Sequence, residues 1–268
     1  MPLVAAAVCP HPPLLVPEVA GSAAPELDDL RAACDVAVRR LLAADPDTVV
    51  LLGSGPVTGP ISIPATGSLQ PWGVDLDVPL VRGQPDRGAV LPLSLTIGAW
   101  LLARHDPRPP APAAPLTAAP LTAAPLTAAP LTAAPLPVAP TAVIQVAADA
   151  GLAELAAVAD TVNAAGDRVA LLVLGDGSAC RGEKAPGYDD PRARPYDQRV
   201  AAALADADLD VLLDLDPVLS AELKAAGRAP WQVLARAARS AGGGWRGELL
   251  HDAAPYGVAY FVASWERV

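Results

Sequence analysis

The sequence predicts an α/β protein whose central, largely buried β-sheet is flanked by helices. Three observations carry that expectation. Continuous apolar runs, "TVVLLG" (48–53), "TAVIQVA" (141–147) and "RVALLVLG" (168–175), have the length and β-branched content of strands covered on both faces. Between them lie stretches with apolar residues at helical spacing. Apolar residues make up 52% of the 268, enough for a full core.

Taken in order, "LVAAAV" (3–8) reads as a short buried strand. Leu27, Leu30, Cys34, Val38 and Leu41 form one helical stripe over 26–43, with Pro25 at its start. The strand 48–53 ends in glycine, and 92–104 reads as a helix. Strand 141–147 follows, then a helix with an apolar stripe of Leu152, Leu155, Val158 and Val162, closed by Gly166. After strand 168–175 comes a polar loop, then helices over 195–206, 217–226 and 229–240. "GELLH" and "GVAYFVASW" end the chain as a hairpin-like strand pair.

One segment stands apart. Across 106–140 the unit LTAAP is iterated, and proline at every fifth residue blocks helix and removes ladder donors. This stretch is expected to be extended, polyproline-like or disordered. The strand–helix pattern resumes after it, so residues 1–268 are read as a single domain carrying a 106–140 insertion.

Composition excludes several functions. A net charge of −10 argues against nucleic-acid backbones and anionic membrane surfaces as partners. Cys9, Cys34 and Cys180 are odd in number and lack C-x-x-C spacing, against both a disulfide framework and a structural zinc site. The N-terminal stretch lacks a basic region, prolines at 10, 12 and 13 interrupt it, and no apolar run reaches membrane-spanning length. The expectation is a cytoplasmic protein.

Ligands of buried α/β sheets gather at the carboxyl ends of strands. Four segments fall there: "CPHPP", "GSGP", "GDGSACR" and "HDAAPYG". His11, held between prolines, suits a metal ligand or general base, or a hydrogen-bonded loop histidine. "GSGP" reads as a turn, since no Lys-Ser/Thr follows its glycines. In "GDGSACRGEKAPGY" (175–188), Gly175 and Gly177 allow close backbone approach, Asp176 can assist a base, and Cys180 beside Arg181 is a candidate nucleophile. Glu183 and Lys184 can instead pair on the surface, in a loop ordered by its own salt bridges. His105 is expected to be solvent-exposed, and His251 to end a strand on the same side as His11.

The blocks "VCPHPPLLVPEV", "GDGSACRGEKAPGYDDPRARPYDQRVAAALADADLDVLLDLDP" and "APYGVAYFVASW" together resemble the class III extradiol ring-cleavage dioxygenases of beta-subunit type, a family related to the Memo proteins. The resemblance covers nearly the whole chain outside the repeat. It implies a site in which two histidines and a glutamate hold Fe(II), with a further histidine as acid/base. His11 matches the first ligand. Ser54 stands where the second histidine falls, Ala179 where the acid/base histidine falls, and Ala225 or a neighbour where the glutamate falls.

Three readings follow. The first is a degenerate, non-canonical member that binds a small molecule or a partner without iron chemistry and needs no cofactor. The second is an Fe(II) dioxygenase with a rearranged site, using His11 and His251, a carboxylate from Asp176 or Glu183, and Tyr188 or Cys180 as acid/base. The third is a metal-free enzyme acting on an anionic substrate through Asp176, Cys180, Arg181 and Lys184. Ser178 completes the set of pocket candidates, and the resemblance alone suggests a homodimer.

Overall fold

A computed structural model describes residues 2–81, 88–105 and 140–268. The repeat falls almost wholly in 106–139, outside the described residues. The strands are β1 (Leu3–Cys9), β2 (Thr48–Ser54), β3 (Gly59–Pro60), β4 (Ala65–Ser68), β5 (Asp77–Pro79), β6 (Ala89–Val90), β7 (Ala142–Val146), β8 (Val169–Leu174), β9 (Trp245–Ala253) and β10 (Tyr260–Arg267). The helices are α1 (Pro17–Ala20), α2 (Asp28–Ala43), α3 (Leu93–Ala103), α4 (Leu152–Asn163), α5 (Ala193–Asp206), α6 (Leu209–Leu213), α7 (Pro217–Glu222) and α8 (Arg228–Ala241).

Seven strands form one mixed sheet in the order β3-β7-β2-β8-β1-β10-β9. The four inner strands β7, β2, β8 and β1 run parallel, and β10, β9 and β3 run antiparallel to their neighbours. Strands from both sides of 106–139 thus lie in one sheet, with β2 hydrogen-bonded to β7.

β8 shows why the sequence writes an unbroken apolar run. Its six residues are all buried, but they split by period two. Val169, Leu171 and Val173 join the core beneath α4, α5 and α8, while Ala170, Leu172 and Leu174 join the core beneath α2 and α3. Each buried Leu or Val contributes about 1.5–3 kcal/mol.

The helices match their expected places with local corrections. The 26–43 helix begins at Asp28, and Pro25 lies in a preceding 3₁₀ segment. Leu152 is 66% exposed rather than part of the buried stripe, which Leu155, Val158 and Val162 form. Gly166 does not cap that helix; a Cβ there would run into Asp47 Oδ1 at 2.8 Å, so close packing demands the glycine. The 217–226 helix stops at Glu222, because Lys224 takes a left-handed φ of 55°. Asp208 and Asp216 cap α6 and α7 by accepting two backbone N–H groups each. The three-stranded sheet β5-β4-β6, unforeseen from the sequence, is too short to give a periodic signal. No helix among the described residues is long and apolar enough to cross a membrane.

Candidate functional site

The carboxyl ends of β2, β8 and β1 lie side by side, and the start of β10 lies next to β1. This places Ser54, Asp176 and His11 in a row along one edge of the sheet. β10 runs antiparallel to β1, with Val8 across from Ala263, and its first residue, Tyr260, stands near enough to Asp176 to feel its charge.

His11 and Asp176 meet directly. The His11 backbone N–H donates to Asp176 Oδ1 at 2.8 Å, and His11 Nδ1 lies 3.5 Å from the same oxygen. That second distance is an electrostatic contact rather than a good hydrogen bond, and Nδ1 has no hydrogen-bond partner among the described residues. A proton on Nδ1 would sit beside this carboxylate and leave Nε2 as an acceptor. His11 is 8% exposed. Burial pushes the Asp176 carboxyl above its usual range, against the pull of His11. Burial, then the Asp176 charge, drive the Tyr260 phenol well above its ordinary value.

The loop after β8 is held by backbone bonds on all sides. Gly175 N–H donates to Cys9 O, Gly177 N–H to Ala259 O, Arg181 N–H to Gly257 O, and Gly227 N–H to Asp176 O. Gly175 and Gly177 are required by protein contacts. A Cβ at Gly175 would stand 2.6 Å from Gly227 Cα, and one at Gly177 2.7 Å from Phe261 Cε2. No ion pair joins Glu183 to Lys184, both exposed, so their mutual salt bridge does not order the loop.

Asp197 orders it instead. This buried α5 carboxylate accepts Ser178 N–H at 2.8 Å, Ser178 Oγ–H at 2.6 Å and Arg181 Nη1–H at 3.0 Å. Burial raises its carboxyl, and the Ser178 and Arg181 bonds work against that rise. Ser178 and Arg181 are therefore engaged in architecture. Asp197 was missed in the sequence, yet it sits three and four residues from buried Val200 and Ala201, on the apolar face of its helix.

Cys180 is fully buried, its Sγ 3.5 Å from the carbonyls of Gly187 and Leu223. Burial raises its thiol, the wrong direction for a nucleophile. Tyr188 is 75% exposed and points its chemistry to solvent. A groove of about 400 Å³ opens beside Cys180, Arg181, Asp190 and Arg194, and His11 is not in its lining.

His251 lies on β9, paired across the ladder with Val262 and separated from β1 by β10. No hydrogen bond or ion pair links it to His11 or Asp176. Burial lowers its imidazole pKa, against Asp252 and Asp29. His105 is not solvent-exposed as expected: its side chain is 13% exposed and its Nε2 lies 3.2 Å from Asp35 Oδ1.

These positions do not fit a three-ligand iron site. His11 and Asp176 supply two donors, Ser54 offers a neutral hydroxyl, and buried Ala179 and Ala225 offer none. Among the described residues, no group of three or more His, Cys, Asp or Glu side chains could hold a metal ion.

No family model and no curated protein matches the chain. Among solved structures it aligns with an uncharacterized protein from Escherichia coli K12, over 98% of this chain and 99% of that one, at 13% identity and a TM-score of 0.44.

Proposed function

We propose that the chain is a degenerate relative of the class III extradiol dioxygenases, which binds a small molecule at the His11–Asp176 end of its sheet without iron chemistry. The observation carrying this reading is the donor set along the strand ends. One imidazole and one carboxylate remain together, while Ser54, Ala179 and Ala225 stand at the other expected positions. With Nε2 free as an acceptor, His11 binds a ligand hydroxyl or N–H, and Asp176 holds the ring by charge. The raised Tyr260 phenol stays protonated within reach of the Asp176 charge. Neither a nucleic acid nor a membrane is part of the reading, given the net charge of −10.

The chain has three histidines, so imidazole NMR signals report His11 almost in isolation. Titration with catechol, protocatechuate and simple phenols is expected to move the His11 signals and leave those of His105 and His251 in place. A set of such ligands that moves none of the three, or moves them equally, overturns the reading.

A further inference from the structure

β9 is the outermost strand of the main sheet, and no strand among the described residues pairs with its outer edge. It is also among the longest strands, nine residues from Trp245 to Ala253. Such an edge invites pairing unless charge or shape opposes it. Here charge and shape select one partner.

We propose that β9 is a dimerisation edge: two copies of this chain pair antiparallel over 245–249, about a two-fold axis at Gly247. In that register Arg246 of each copy faces Glu248 of the other, and Trp245 faces Leu249. The faces agree. Arg246 and Glu248 are exposed on the α2 side of the sheet, where they pair with Glu266 and Arg40. Trp245 and Leu249 are half-buried against the core on the opposite side. The axis passes through a residue without a side chain, whose face is closed by the α5 carbonyls of Leu204 and Ala205, each 2.7 Å from where a Cβ would be.

Neighbouring registers are penalised. An axis at Glu248 opposes the two Glu248 carboxylates, and an axis at Arg246 opposes the two guanidiniums. Beyond Leu249 the register with β10 shifts, and that bulge bends the strand and ends the stretch available for pairing. The intended pairing extends the charge row Arg40–Glu248 of one copy into Arg246–Glu266 of the other. A groove of about 570 Å³ lined by Arg40, Arg246, Glu248, Ser264 and Glu266 lies along this face, beside the pairing edge.

Charge reversal tests the register. Sedimentation equilibrium of the full chain is expected to give twice the chain mass. E248R and R246E, each alone, face like charges across the axis and are expected to dissociate, with Kd raised by about tenfold or more. Mixed one to one, they restore Arg–Glu opposition at both positions and are expected to associate as a heterodimer. Far-UV circular dichroism checks that each is folded, and E248Q provides a milder companion with an intermediate loss. A monomeric wild-type chain, variants that dimerise as wild type does, or a folded mixture that remains monomeric each overturns the proposal.

Discussion

The Asp176 carboxylate accepts the backbone N–H of His11 at 2.8 Å, tying the loop after β8 to the loop after β1. This bond serves the backbone first, and it leaves the imidazole with a charge beside Nδ1 and no hydrogen bond on it.

Asp176→Ala removes the acceptor and strands a buried donor. The expected loss is about 1–3 kcal/mol of folding stability. Asp176→Asn keeps Oδ1 and loses less, and His11→Ala, which leaves the backbone bond in place, loses little. Urea unfolding orders the three; equal losses would contradict this division of roles.

Asp197→Ala frees Ser178 and leaves the Arg181 guanidinium without its carboxylate. Removing one partner of a buried pair costs about 3 kcal/mol or more. The expected result is a larger destabilisation than that of Asp176→Ala, with the loop 178–188 gaining hydrogen exchange. A surface-like loss below about 0.5 kcal/mol would contradict the architectural role.

The buried central strand β8 was legible because strands covered on both faces must be apolar throughout, and 168–175 is; the order of the strands was not. The strand-end position of His11 and Asp176 was legible for the same reason. Their contact was not, since the two residues are 165 apart and only the pairing of β1 with β8 joins them. Tyr260 was missed because its nearness to Asp176 depends on the antiparallel return of β10 beside β1, which no single-strand pattern encodes. Cys180 read as reactive from its polar neighbours, but those neighbours turn outward or bind Asp197 while its own sulfur turns in. His105 read as exposed because it borders the repeat; Asp35 on α2, 3.2 Å from its Nε2, draws it in.

Two lowered histidines and the lowered Asp35 lose stability in acid, while the raised carboxyls of Asp176 and Asp197 act with the opposite sign. Burial, outweighing the pull of Asp35, lowers the His105 pKa, and His251 is lowered likewise by burial. The unfolded chain then binds protons first, so their contribution to stability is full above about pH 6.5 and falls as pH drops below it. For Asp35, burial works to raise the carboxyl, but the Arg104 hydrogen bonds and charge, with His105, hold it below its usual range. Its contribution is present above about pH 4 and is lost as pH falls through its folded value. Urea midpoints from pH 8 to pH 3 check both windows, and His105→Gln is expected to flatten the upper one. A wild-type stability that rises relative to His105→Gln as pH falls from about 6.5 to 5 would contradict the sign.

All three cysteines are buried. Ellman's reagent is expected to react slowly with the native chain and to titrate three thiols once it is unfolded. Fast native reaction at Cys180 would return it to the list of candidate nucleophiles.

Iron content tests the central claim most directly. The chain is purified without chelator, exposed anaerobically to excess Fe(II), desalted, and analysed for metal and for ring cleavage of catechols. The expected result is far less than one iron per chain and no cleavage, in wild type and His11→Ala alike. One tightly held iron per chain that supports cleavage and disappears in His11→Ala would contradict the account.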